Sequence, residues 1–251
     1  MLRALGIGLR QLVLPAHCAA CGAPSPAESR LPLCQPCSRA LAACLEEPFC
    51  LRCGRHIGPH TVDKQGECLF CRLYPIRHEA TVRVGSYEEP LKSLILKCKH
   101  SRRPDVASLL GRLLSERVAL TPWADRVDVV APVPLHWSRR LNRGFNQADM
   151  IAGLVVAAGI GRLGRRVLRR VRPTPLQSGL PASARAGNVR GAFRPGSNAA
   201  DIAGCNVLLV DDVMTSGSTV AECVKVLKKA GAADVYVAIV ATASFDHPGP
   251  W

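Results

Sequence analysis

The densest chemistry in the chain lies in "NVLLVDDVMTSGSTV", residues 206–220. An apolar run ends in two carboxylates, Asp211 and Asp212. Thr215, Ser216, Gly217, Ser218 and Thr219 follow, and then an apolar-periodic stretch. Backbone N–H groups gathered at a helix start make an anion cradle. The glycine lets the backbone approach a ligand closely. There is no G-x₄-G-K-[ST] and no lysine in the turn, so a nucleotide P-loop is excluded. Paired acids beside a phosphate cradle suit a ligand that carries vicinal hydroxyls as well as phosphate. They would accept hydrogen bonds from a ribose and help hold Mg²⁺ through water.

A second chemistry stands at the other end. Eight of the 12 cysteines form four C-x₂-C pairs: Cys18/Cys21, Cys34/Cys37, Cys50/Cys53 and Cys68/Cys71. Two such pairs close a tetrahedral thiolate shell with no open position, which is a structural zinc site. The gaps of 12 and 14 residues between pairs give two modules. The sequential grouping assigns the first four cysteines to one ion and the last four to a second; a cross-braced grouping is the alternative. A disulfide scaffold would need an oxidising compartment, and no secretion signal is present to supply one. Cys44, Cys98, Cys205 and Cys223 lack partners at ligand spacing and are expected as small buried hydrophobes. His17, His56 and His60 lie near the pairs and are expected as bystanders, with substitution for one cysteine ligand as the alternative.

The elements that must position these groups follow from periodicity. "ATVRVGSYEEPLKSLILKCKH" predicts a strand over 81–87 and a helix from about Pro90, and "RPDVASLLGRLLSERV" a second helix. "RVDVVAPVPL" is a short strand ending in a proline turn, and "NQADMIAGLVVAAG" a helix stopped by Gly159. "RRVLRRV" reads as a further strand. "CNVLLVDDV" and "DVYVAIVATA" are buried strands flanking a helix, "GSTVAECVKVLKKAGA", with lysines in its last turn. This alternation predicts an α/β fold with a mostly parallel sheet and flanking helices, preceded by a small zinc-ribbon module. The expected division is 1–75 for an amphipathic N-terminal helix plus double ribbon, and 79–246 for the α/β domain.

Charge is uneven. Of the net +14, residues 83–194 hold 21 Lys/Arg against 7 Asp/Glu, whereas residues 195–251 hold 3 against 6. A basic block of this kind concentrates polyanions; generic arginine usage on the surface is the plainer account. Lys97, Lys99, Arg102 and Arg103 form one candidate nucleic-acid cluster, and Arg165, Arg166, Arg169 and Arg170 another, flanked by Arg162 and Arg172. The N-terminal "MLRALGIGLRQLVLPAHC" is broken by Arg3 and Arg10 and does not reach the roughly 18 apolar residues of a membrane span. A cytoplasmic location is expected, with peripheral contact at the inner membrane face as its only membrane role.

With these motifs in place, "VLLVDDVMTSGST" resembles the phosphoribosyl-pyrophosphate (PRPP) loop of type I phosphoribosyltransferases. The C-x₂-C ribbons, "PVPLHWSRRLNRGFNQADMIA", "RPTPLQSGLPASARAGNVRGAF" and that loop together resemble the ComF family of DNA-uptake competence proteins. The resemblance implies that Asp211 and Asp212 hold the PRPP ribose and that Thr215 to Thr219 cradle its 5′-phosphate. It implies that Val133, Pro134 and Leu135 form the pyrophosphate loop, with Arg139, Arg140 and Arg143 as clamps. Residues from about 172 to 194 would cover the site, with Thr174, Gln177, Arg185, Asn188 and Arg190 as polar anchors. It further implies two zinc ions, Mg²⁺ with PRPP, and single-stranded DNA and DNA-processing proteins as partners. The acceptor for any transfer is unassigned. Aromatics are only 4% of the chain, and Tyr87, Trp137 and Phe145 are the candidates to stack a base. A DNA-handling protein, an active phosphoribosyltransferase and a structural adaptor are the three functions this pattern admits.

Overall fold

The computed structural model describes residues 17–25, 32–63, 65–74, 76–100, 103–138, 141, 144–174 and 187–243. Its centre is a five-stranded parallel sheet in the order β1-β7-β6-β2-β3. The strands are β1 (Thr81–Ser86), β2 (Val129–Pro132), β3 (Arg162–Leu163), β6 (Val207–Met214) and β7 (Val235–Thr242). All eight residues of β7 are buried, as expected of a parallel strand covered on both faces. A separate antiparallel pair joins β4 (Leu168–Arg170) to β5 (Phe193–Pro195). "RRVLRRV" therefore does form a strand, but outside the main sheet.

Side-chain alternation sorts two cores. On one face Val82, Val84, Leu208, Val210, Ala238 and Val240 pack with α3 (Leu91–His100), α4 (Pro104–Ala119) and α5 (Gln147–Ala157). On the other, Val207, Leu209, Val237 and Ile239 meet Val220, Val224 and Leu227 of α6 (Ser218–Lys229), with Phe193 of β5. Lys228 and Lys229 close α6, where the helix dipole favours cations, and Gly231 ends it at φ 94°.

The cysteine modules lean on the β1 side of the sheet. In the first, α1 (Gln35–Glu46) sends Leu41 and Cys44 into the core beside Val84 and Leu91. Lys97 of α3 donates to the Ala20 carbonyl at 2.7 Å. The second module, which ends in the short α2 (Leu69–Leu73), builds a small core of its own from Cys50, Cys53, Phe70 and Ile76. It meets the sheet through main-chain groups. The Thr81 N–H donates to the Leu51 carbonyl at 2.6 Å, and Thr242 Oγ1 to the Gly54 carbonyl at 3.1 Å. The β1 carbonyl of Arg83 accepts from Arg117 Nε at 3.3 Å. Arg83 itself is 1% exposed; its guanidinium bonds Thr242, Ser86 and, at 3.2 Å, Glu47.

His78 sits at this joint, with Nε2 2.8 Å from both the Arg52 carbonyl and Thr81 Oγ1. Burial pushes its pKa down from 6.5 to about 4. The unfolded chain therefore takes up this proton first. Between pH 6.5 and about 4 the unfolded state binds more protons, and stability falls as pH falls through that window. With zinc saturating, His78→Gln should flatten the fall in melting temperature across that range. A variant melting in parallel with the parent would contradict this.

Candidate functional site

Each C-x₂-C pair that opens a module is followed by a glycine with positive φ: Gly22 at 79° and Gly54 at 73°. Their N–H groups turn back to the carbonyls of Cys18 (2.9 Å) and Cys50 (2.7 Å), which closes the knuckle. The structure brings together Cys18, Cys21, Cys34 and Cys37, and separately Cys50, Cys53, Cys68 and Cys71. This is the sequential grouping. The Sγ–Sγ separations are 3.6 Å for Cys21/Cys34, 3.6 Å for Cys50/Cys71 and 3.7 Å for Cys53/Cys68. A disulfide needs about 2.05 Å. A tetrahedron of sulfurs about 2.3 Å from zinc has edges of about 3.8 Å, so the donor sets fit zinc. Both sets are complete without a histidine. Of the four remaining cysteines, Cys44, Cys98 and Cys223 are buried as expected; Cys205 is only half-buried, its Sγ turned to the Asp201 carbonyl.

The two acids are consecutive residues in the second half of β6, Asp211 near Cys223 of α6 and Asp212 near Lys99 of α3. The Asp212 N–H donates to Asp211 Oδ1 at 2.9 Å, and Asp212 Oδ2 pairs with Lys99 of α3 at 3.1 Å. Burial, reinforced by the neighbouring Asp212 charge, raises the Asp211 pKa to about 7, while Lys99 and Arg170 pull against that rise. The turn then passes through Gly217 at φ 84° into α6. Ser216 Oγ lies 2.8 Å from Ser218 Oγ and accepts from the Ser218 N–H at 3.3 Å. The Ala221 N–H donates to the Gly217 carbonyl at 2.8 Å, which closes the first turn of the helix. An anionic group seated here would meet the positive end of the α6 dipole.

Residues 133–135 follow β2, the immediate neighbour of β6, so they share its sheet edge. The Val133 N–H donates to the Val210 carbonyl at 2.9 Å, and Asn146 Nδ2 to the Val133 carbonyl at 3.1 Å. Asn146 thus ties the loop instead of capping α5 with its side chain. Arg102, Arg139, Arg140, Arg143, Gln177 and Arg185 lie outside the described residues. So does the expected helix before His17. Asn188 and Arg190 accept Arg172 through their carbonyls, and Thr174 bonds Arg170. Of the stacking candidates, Tyr87 and Phe145 pack against the core, while Trp137 is 67% exposed.

The basic candidates divide. Lys97 and Lys99 are engaged internally, and Arg103 is paired with Asp105. Arg170 lies over the Phe193 ring. Arg165, Arg166 and Arg169 are exposed; Arg165 pairs with Asp149. Arg169 stands directly across from Arg194 in the β4–β5 pair. Arg190, Arg194, Lys225 and Lys229 line an adjoining cleft of about 200 Å³, with Glu222 its one acid. Arg194 was not singled out by sequence, because only pairing across β4–β5 brings it to Arg169.

Comparison with known proteins agrees with both halves. The double zinc ribbon domain family matches residues 9–72, and the phosphoribosyl transferase domain family residues 141–249. The DNA utilization protein YhgH of Salmonella typhi is 35% identical over 234 residues, 90% of this chain and 96% of the relative. Competence protein F of Haemophilus influenzae is 31% identical, covering 82% of this chain and 88% of the relative. Competence protein ComFC of Streptococcus pneumoniae is 28% identical, covering 81% and 84%. Among solved structures, adenine phosphoribosyltransferase from Leishmania tarentolae aligns at 17% identity and a TM-score of 0.33, over 75% of this chain and 81% of that one.

Proposed function

The chain belongs to the ComF family of double-zinc-ribbon proteins with a phosphoribosyltransferase domain, and from that premise we propose that it binds PRPP with Mg²⁺ and handles incoming single-stranded DNA in natural transformation or DNA utilisation. The observation that carries the PRPP half is the end of β6 and the turn after it: two consecutive carboxylates in the strand, then a hydroxyl-rich loop entering α6. Asp211 and Asp212 accept the ribose hydroxyls and hold Mg²⁺ through water. Thr215 to Thr219 take the 5′-phosphate, and the 133–135 loop takes the pyrophosphate. The ion pair to Lys99 means that Mg²⁺–PRPP must displace or rearrange that ammonium. Calorimetric titration with PRPP and Mg²⁺ tests this; no heat at millimolar ligand would reject it.

The DNA half rests on the β4–β5 surface. Like charges directly opposite on a two-stranded ribbon are destabilising. Arg169 and Arg194 fit a surface whose counter-charge arrives from outside. Single-stranded DNA should bind with log affinity falling against log salt by about 0.7 per phosphate contacted. Reversing both arginines, Arg169→Glu with Arg194→Glu, should lower the affinity at least about tenfold and flatten that slope. An unchanged slope in fluorescence anisotropy would remove the surface from the proposal. The same reading assigns the protein a cytoplasmic role, with DNA-uptake or DNA-processing proteins as partners. A second reading, an active phosphoribosyltransferase, is favoured by one observation, a cleft on the same sheet edge.

A further inference from the structure

A cleft of about 400 Å³ opens between the second zinc-ribbon module and the carboxyl edge of β7. Leu69, Phe70 and Leu73 form its apolar wall, with Leu73 68% exposed at the mouth. Arg83 and Thr242 form its floor. Such a volume holds a small organic molecule. The cleft adjoins the phosphate turn, because Thr242 pairs with Met214 in the β6–β7 ladder. The Ala243 N–H also donates to the Met214 carbonyl at 3.0 Å, one residue before Thr215.

Two observations narrow the occupant. Arg83 is 1% exposed, yet its Nε–H is buried with no hydrogen-bond partner among the described residues. A buried donor left unpaired is costly, and a ligand acceptor would satisfy it. The two arginines at the cleft already have counter-charges. Glu47 neutralises Arg83, and Arg55, which lies over Phe70, has the thiolates of the neighbouring cluster beside it. A charged ligand gains no counter-ion there. We propose that this cleft binds a neutral, planar heterocycle bearing a carbonyl, such as an oxo-nucleobase, with the carbonyl on Arg83 Nε and the ring against Phe70, Leu69 and Leu73. The zinc ribbon would then supply the acceptor side of a phosphoribosyl transfer; that last role, and not the binding itself, rests on the PRPP proposal.

The test uses the full zinc-loaded chain. Saturation-transfer NMR with uracil and hypoxanthine should show binding at least about tenfold tighter than that of indole, which is flat but offers no acceptor. Leu73→Glu, at an exposed position, should weaken the base about tenfold and leave the PRPP titration unchanged. Arg83→Lys should abolish the preference over indole. No binding of either base, indole binding equally well, or a Leu73→Glu variant that binds the base like the parent would each overturn the proposal. A soaked crystal with residues 244–251 filling the cleft would do so too. Base binding without PRPP binding would keep this site and reject the PRPP reading; the reverse would reject this site alone.

Discussion

Asp211→Asn is expected to cost PRPP binding at least about a hundredfold while making the ligand-free protein more stable at neutral and alkaline pH. The first effect follows from losing a charge-assisted acceptor on the ribose, a bond of the stronger class. The second follows from the sign of the shift. The Asp211 pKa rises from 3.8 to about 7 because the carboxyl is buried beside Asp212. Between those values the folded state binds more protons than the unfolded one. Stability therefore falls as pH rises through that window, and the loss is complete above about 7. Asparagine has no charge to bury and escapes the loss. In the parent protein PRPP must meet an ionised Asp211, so at pH 6 binding should release close to one proton. Affinity should climb with pH and level off above 7. Calorimetry in buffers of differing ionisation heat measures the proton directly, and thermal melts from pH 5 to 9 measure the stability. A variant that binds PRPP like the parent would sink the assignment. One that melts at a lower temperature at pH 8 would sink the electrostatic account.

Removal of zinc should lower the melting temperature of the whole chain, not of the ribbons alone. Structural zinc contributes on the order of 10 kcal/mol of folding free energy in small cysteine modules at neutral pH. The coupling to the sheet is specific. The knuckle that presents Cys50 and Cys53 also offers the carbonyls of Leu51, Arg52 and Gly54 to Thr81 and Thr242. The first module is tied by Lys97 and by the Leu41–Cys44 face of α1. Cys53→Ser should therefore cost more than Cys21→Ser, since Cys53 is 1% exposed and Cys21 is exposed. Elemental analysis should find two zinc ions in the parent and one in each variant. Circular dichroism during chelator titration should show loss of α/β signal together with the metal. An unchanged melt of the α/β domain after chelation would show the two parts to be independent.

Much of this was legible because the signals are local. Four C-x₂-C pairs state their chemistry by spacing, and β6, α6 and β7 follow from an apolar run, a helical stripe and a second run. The 162–163 strand was not legible, since two residues carry no period. The 165–171 run has strand composition, but nothing in it says which sheet it joins. What joins distant segments was out of reach as well. Lys99 on Asp212, Glu47 on Arg83 and Arg169 opposite Arg194 are set by packing between residues 25 to 113 positions apart in the chain. The same holds for the orphaned Arg83 Nε, which looks from sequence like one more arginine in a basic block.

The contacts along β1 bear on how the molecule behaves in a crowded solution. An outer strand with free main-chain groups is a template on which another chain can add a strand. Here the outward N–H of Thr81 is occupied by Leu51, and the outward carbonyl of Arg83 by Arg117. The Cys50–Cys53 knuckle, together with Arg117 of α4, thus covers a sticky border. A cell short of zinc would hold not merely a less stable protein but one inclined to self-associate, and aggregation under metal starvation should begin at that border.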